Sequence, residues 1–295
     1  RQEPEEIICE PKAYLNELMM DDNSGQPSAK EVFDTTPYTI LVVDDNPDMT
    51  DFLKRTFEGY FKRIIIAGDG GEALQLVRSH VPDIIVSDVM MPRMNGYKLC
   101  KTIKEDINIS HIPVILLTAR DDRQSQISGY KNGADGYLSK PFEVEMLMEL
   151  IRNRLKNREY TKKRYLNAGL IPTPEESTIS LTDETFLIKL NSIIQENIEN
   201  SNLGIQFICQ EVGLGRSSLY NKLKALTGMG ANEYISKLRI EKAITLISGT
   251  DMPFSEIAEK TGFTTPSYFS TAFKQYTGET PSQYKERKKK GLADK

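Results

Sequence analysis

The chain has 295 residues, 39% of them apolar and 27% charged, with a net charge of −4, which is enough apolar material for about two domains of ordinary size. No apolar run approaches the roughly 18 residues of a membrane span, and the N-terminus is Glu-rich rather than basic and then apolar, which excludes a signal-peptide pattern. Cys9, Cys100 and Cys209 lie far apart and match no metal spacing, so reduced thiols and a cytoplasmic location are expected.

Residues 1–35 carry 3 basic and 9 acidic groups mixed with Pro, Gly and Ser, and show no sustained periodicity. Residues 1–38 are read as an acidic linker or tail, with a short helix near 13–20. Position 1 is Arg rather than Met, which is read as a segment of something longer. From residue 39 the pattern changes. Short apolar runs at 40–43, 64–67, 83–87, 114–118 and 136–138 suit strands buried on both faces. Helical stretches at 47–59, 70–80, 95–106, 121–132 and 143–157 separate them. Such alternation predicts an α/β fold, a doubly wound five-stranded parallel sheet over residues 39–157. Ligands of these sheets sit beyond the carboxyl ends of the strands. The spacing of Leu147, Ile151 and Leu155 suits packing of the last helix on its own sheet, and that helix is allowed to continue as a connector.

Residues 158–182 are charged and then hold Gly169, Pro172 and Pro174, the expected linker. Beyond it the spacing is helical throughout, with helices at 183–199, 204–212, 216–226, 231–248, 254–260 and 265–276. Gly213, Gly228, Gly249, Gly262 and Gly278 are the expected stops. In the long helix, Tyr234, Ile235, Leu238, Ala243, Leu246 and Ile247 form a core stripe. Residues 180–295 carry 15 basic and 13 acidic groups, the one large segment with a positive balance, and residues 288–295 are read as a basic tail. Two helix pairs with a Gly turn, 206–226 and 254–276, have the helix-turn-helix layout, whose second helix enters a major groove. The second domain, 183–287, is therefore expected to be all-α with a double helix-turn-helix.

Asp44 and Asp45 follow the first predicted strand, Asp88 ends the third, Thr118 the fourth and Lys140 the fifth. All five project at one edge of the sheet. Crowded carboxylates favour a hard divalent cation, and Mg²⁺ with its oxygen ligands is the expected cofactor. An Asp beside such an ion can act as a nucleophile. A Lys and a Thr hydroxyl would hold the oxygens of an incoming phosphoryl group, which is most of what phosphoryl transfer requires.

On Asp44-Asp45, Asp88 in Asp-Val-Met-Met-Pro-Arg-Met-Asn-Gly, Thr118-Ala119, Tyr137 and Lys140-Pro141, residues 39–157 resemble the CheY-like receiver domains of two-component response regulators. The resemblance implies that Asp88 accepts a phosphoryl group from a kinase histidine. It implies Mg²⁺ on Asp45, Asp88 and the Met90 carbonyl, with Asp44 acting mostly through water. It implies that Thr118 and Lys140 contact phosphoryl oxygens, that Tyr137 is an aromatic switch, and that Lys140-Pro141 is cis. His80 and His111 are the only histidines, and neither lies in a kinase-like helix. Both read as ordinary loop or helix-end residues, so the kinase lies upstream in a longer parent or in a separate protein.

Residues 183–287 resemble the AraC family of transcription regulators. The match rests on Arg216-Ser-Ser-Leu-Tyr-Asn-Lys-Leu-Lys, on Ser255-Glu-Ile-Ala-Glu-Lys-Thr-Gly-Phe, and on the run from Ser267 through Thr-Gly-Glu-Thr-Pro-Ser-Gln-Tyr284. By that resemblance Arg216, Ser217, Ser218, Tyr220 and Asn221 belong to the DNA-binding set of the first reading helix. Pro266, Ser267, Ser270 and Thr271 are those of the second, and Lys222, Lys224 and Lys274 contact phosphates. Phe263, Tyr268, Phe269 and Phe273 fall to core and helix-junction packing. Small residues stand where many AraC relatives carry Arg or Gln, so the second helix is expected to contribute shape and backbone contact.

Joined, the two halves resemble the output part of a hybrid two-component sensor histidine kinase/response regulator, a parent anchored in the inner membrane. The expected partners are double-stranded operator DNA, a histidine kinase, a second copy of the chain on phosphorylation, and RNA polymerase, with no membrane contact by this segment. The chain itself is expected to be no enzyme. A free-standing response regulator is the alternative architecture. A Mg²⁺-dependent Asp-nucleophile phosphatase is a further alternative, but it needs a second Asp two residues after Asp88, where Met90 stands. A relay station whose helical domain binds only protein is the third.

Overall fold

The parallel sheet forms as the apolar runs dictate, in the order β2-β1-β3-β4-β5. The structure, a computed structural model, describes residues 33–119, 133–167 and 180–293. Cys9 and the helix expected at 121–132 lie outside the described residues. The receiver half contains β1 (Thr39–Val43), α1 (Pro47–Phe57), β2 (Arg63–Ala67), α2 (Gly70–His80), β3 (Ile84–Asp88), α3 (Gly96–Glu105), β4 (Val114–Ala119), β5 (Gly136–Lys140) and α4 (Val144–Asn167). Ile40, Val42, Ile84, Val86, Ile115 and Leu116 are wholly buried, as central strands covered by helices on both faces require. Asn46, Asp69 and Asn95 cap α1, α2 and α3 by accepting backbone N–H bonds.

Leu147, Ile151 and Leu155 of α4 are fully buried. The helix does not stop at residue 157 but runs on to Asn167. The helical half follows: α5 (Leu181–Glu196), α6 (Ile205–Val212), α7 (Arg216–Thr227), α8 (Ala231–Gly249), α9 (Phe254–Lys260), α10 (Pro266–Thr277) and α11 (Pro281–Ala293). The helix α8 serves two cores. Tyr234, Ile235 and Leu238 join Phe186, Leu190, Leu219 and Leu223, while Ala243 and Ile247 join Ile257, Phe269 and Phe273. Leu246 is only partly buried at the edge of the second core. Tyr268, expected in packing, is 54% exposed, although its ring still meets Phe263 edge-on at 5.8 Å. Gly262 turns the second helix pair at φ +71°, where a Cβ would also meet the Ile198 carbonyl oxygen at 2.2 Å.

No helix is expected beyond residue 276, and residues 288–295 are expected to be a tail. Instead α11 carries the chain to Ala293. Its start is a capping box: Gln283 N–H donates to Thr280 Oγ1 at 3.3 Å, and Thr280 N–H donates to Gln283 Oε1 at 2.9 Å.

Candidate functional site

Asp88 ends β3 with its carboxyl buried, and each of its oxygens has a partner. Lys140 Nζ lies 2.6 Å from Oδ1, and the Met90 N–H donates to Oδ2 at 2.7 Å. The same ammonium donates to Asp44 Oδ2 at 2.8 Å, so Lys140 bridges the two buried carboxylates. Asp44 Oδ1 accepts the Asn46 N–H at 2.9 Å, which fixes the carboxylate at the start of α1. Burial raises the Asp88 carboxyl above its ordinary range, against the opposing pull of Lys140, and the charge of Asp44 adds to the rise. For Lys140 the balance tips the other way. Its burial is outweighed by the two carboxylates, which hold the ammonium above its usual range. The Lys140-Pro141 bond is cis, as expected.

Thr118 lies one residue beyond Leu117, the β4 partner of Asp88, and its hydroxyl is buried without a hydrogen-bond partner among the described residues. Tyr137, on β5, is half-buried against the receiver core. Asp45 and Met90 are exposed, Met90 by 71%. Among the described residues no three Asp, Glu, His or Cys side chains form a ready metal cage. Two buried carboxylates at one strand edge nonetheless suit Mg²⁺, which takes one or two carboxylates and keeps several waters. One residue absent from the expected set shapes this site. A Cβ on Gly96 would stand 2.2 Å from the Asp88 carbonyl oxygen, so only glycine lets α3 begin beneath the acidic residue. The Asn-Gly that closes the quoted motif was the available signal.

In the helical half, Arg216, Ser217, Tyr220 and Lys224 of α7 are exposed, and Ser218 and Asn221 are half-buried. Arg216 donates to Gln206 Oε1 at 3.2 Å. On α10, Pro266, Ser267, Thr271 and Lys274 are exposed and Ser270 is half-buried. The hydroxyls of Ser270 and Thr271 donate to the helix carbonyls of Pro266 and Ser267, at 2.9 and 3.1 Å. Their lone pairs rather than their protons face outward from these bonds.

Lys222 does not stand where a phosphate-contacting residue must. It is 0% exposed, paired with Asp183 of α5, and donates to the Ser110 hydroxyl of the receiver half at 2.8 Å. Ser110 in turn donates to Asp183 Oδ1 at 2.7 Å, closing a buried triad. Burial pushes the Lys222 ammonium below its usual range, and Asp183 draws it back in part. Nearby, Thr182 donates to the Lys104 carbonyl at 3.0 Å, and α4 packs along α7. His111 is no ordinary loop residue. It is 8% exposed beside this triad, and its Nδ1 has no hydrogen-bond partner among the described residues.

Residues 40–152 match the family model of the response regulator receiver domain, and residues 208–287 match a helix-turn-helix domain model. Over 249 residues the chain is 41% identical to histidine kinase P4 of Formosa agariphila, a match covering 84% of this chain and 18% of that protein. It is 36% identical over 136 residues to the DNA-binding response regulator MtrA of Mycolicibacterium smegmatis, 46% of this chain and 58% of the relative. With the response regulator MprA of Mycobacterium sp. (strain KMS) it shares 36% over 165 residues, 52% of this chain and 70% of the relative. The chain thus spans about a fifth of the first of these relatives and little more than half of the second. No helix among the described residues is long and apolar enough to cross a membrane. The chain belongs to the response-regulator family, as a receiver domain followed by an AraC-type helix-turn-helix domain.

Proposed function

We propose that Asp88 is the phosphoacceptor of a phosphorylation-dependent, sequence-specific DNA-binding regulator, whose parent is a hybrid sensor kinase. The observation that carries this is the buried Asp88–Lys140–Asp44 cluster, with the unpartnered Thr118 hydroxyl beside it. A carboxylate oxygen of Asp88 forms the new bond to phosphorus as the bond to the donor imidazole nitrogen breaks, and that nitrogen leaves with the electron pair. Lys140 moves with its charge onto the incoming phosphoryl oxygens, and Thr118 supplies a hydroxyl to them. Asp44, Asp45, Asp88 and the Met90 carbonyl are the residues that would hold Mg²⁺, which supplies charge neutralisation when bound. Tyr137 follows Thr118 inward.

The output side rests on α7. A helix with side chains is about 10–12 Å across, and the major groove is about 12 Å wide. A reading helix therefore needs both flanks free for the phosphate walls. With α4 packed along α7 and Lys222 held by Ser110 and Asp183, one flank is taken by the chain itself. The strand β4 joins the two sites: Thr118 lies near its C-terminal end, and Ser110, His111 and Pro113 lead into its start. Phosphorylation shifts the balance toward an arrangement with α7 released. Two released chains then pair on two half-sites, where they recruit RNA polymerase.

The test is the solution mass by light scattering with Mg²⁺, with and without beryllofluoride as phosphoryl mimic, on wild type and Asp88→Asn. The expected outcome is a monomer that dimerises only in the wild type with the mimic. An unchanged wild-type mass would sink dimerisation as the output.

A further inference from the structure

We propose that a cavity between the receiver and the helical domain is a binding site for a small tetrahedral oxyanion, phosphate or the phosphate end of an ester. The cavity, partly open to solvent, has a volume of about 80 Å³ and is lined by Lys104 of α3, His111, Arg154 and Arg158 of α4, and by Asp135 and Asp183. A single water needs roughly 10–15 Å³, so there is room for several waters or for one such anion.

The charges do not balance around it. Asp135 is matched by Lys104 at 2.7 Å, and Asp183 by Lys222. Arg158 is partly occupied, donating to the Asp83 carbonyl at 3.1 Å and lying 3.8 Å from its carboxylate. Arg154 remains, with its Nε buried and without a hydrogen-bond partner among the described residues. The His111 Nδ1 is a second buried polar atom left over at the same wall. Buried polar groups are nearly always paired, and those that are not point to a missing water or ion. A water would satisfy the nitrogens but leave the surplus positive charge. The cations around the cavity also act on His111, whose basicity falls well below normal through burial and then through Arg158, Lys222, Lys104 and Lys162. An anion answers both needs. Because its walls come from the receiver, from α4 and from the helical half, occupancy would also stabilise the arrangement in which α7 is held. Nothing in the assignment of Asp88 assigns this site, and it stands or falls separately.

The chain has two histidines, and exposed His80 serves as an internal control. Inorganic phosphate is titrated into the full chain at constant ionic strength, and both imidazole rings are followed by NMR. The expected result is a saturable response at His111, with its pKa raised, and none at His80. The response persists in Asp88→Asn, which separates it from the acidic site, and is lost in Arg154→Gln. Arg154→Lys, which keeps the charge on an equally helix-favouring residue, restores part of it and controls for folding. Repeating the titration with glycerol phosphate separates the sources: a tighter response assigns an ester, and an equal or weaker one assigns the free ion. A non-saturating drift shared by both rings, or an undiminished response in Arg154→Gln, would overturn the proposal.

Discussion

Position 96 has no room for a methyl group, because the Asp88 carbonyl oxygen stands 2.2 Å from where a Cβ would be. The forced shift falls on the backbone of the proposed phosphoacceptor. Overpacking of this kind costs about 1–3 kcal/mol. Gly96→Ala is therefore expected to lose stability in that range by denaturant unfolding, and to weaken the response to beryllofluoride further than the stability loss explains. His111 makes a different demand. Held neutral by burial and by Arg158, Lys222, Lys104 and Lys162, it binds a proton less readily folded than unfolded. Stability from this site is therefore fully present above the ordinary histidine pKa of about 6.5 and declines as the pH falls below it. The expected outcome is a lower unfolding midpoint in mildly acidic buffer that His111→Gln largely abolishes. The acidic residues and Lys140 are legible in the sequence because each follows an apolar strand run at family spacing. His111 and Lys222 are not, because what buries each comes from a distant part of the chain, and no local pattern records it.

Two roles compete on the helix α7. Its sequence resembles a reading helix, and its N-terminal side chains Arg216, Ser217 and Tyr220 stay exposed, yet Lys222 one turn later is wholly buried. Breaking a buried ion pair by removing one partner typically costs about 3–5 kcal/mol, because the other charge is left uncompensated. Lys222→Met is expected to destabilise the described arrangement on that scale, and Lys222→Met with Asp183→Asn to recover much of it. Calorimetric unfolding of the two single variants and the double variant checks this. Additive losses would mean that the pair is not coupled. The helices themselves follow their apolar spacing and Gly stops closely, from α6 to α10. The exception is α11, whose charged run Lys285 to Lys290 hides the helix, although the capping box at Thr280 and Gln283 was readable. The continuation of α4 past residue 157, allowed by the sequence as a connector, carries no apolar stripe and is instead half-buried through charged side chains such as Arg158 and Lys162.

For the whole molecule, the described residues from Asp34 onward form one compact unit rather than two separate bodies. The two domain types are legible from motif and periodicity. How they sit against each other is not, because the packing of α4 along α7 is joined by scattered side chains, Ser110, Thr182, Asp183 and Lys222, each unremarkable in its own segment. That contact carries the regulatory account: Asp88 at one end of β3 and β4, and α7 held at the other. The direct measurement is hydrogen exchange of the segments around 108–114 and 216–227, with Mg²⁺, with and without beryllofluoride, in wild type and Asp88→Asn. Faster exchange in both segments is expected on adding the mimic to the wild type, with no change in Asp88→Asn. Equal protection of both segments with and without the mimic in the wild type would contradict it.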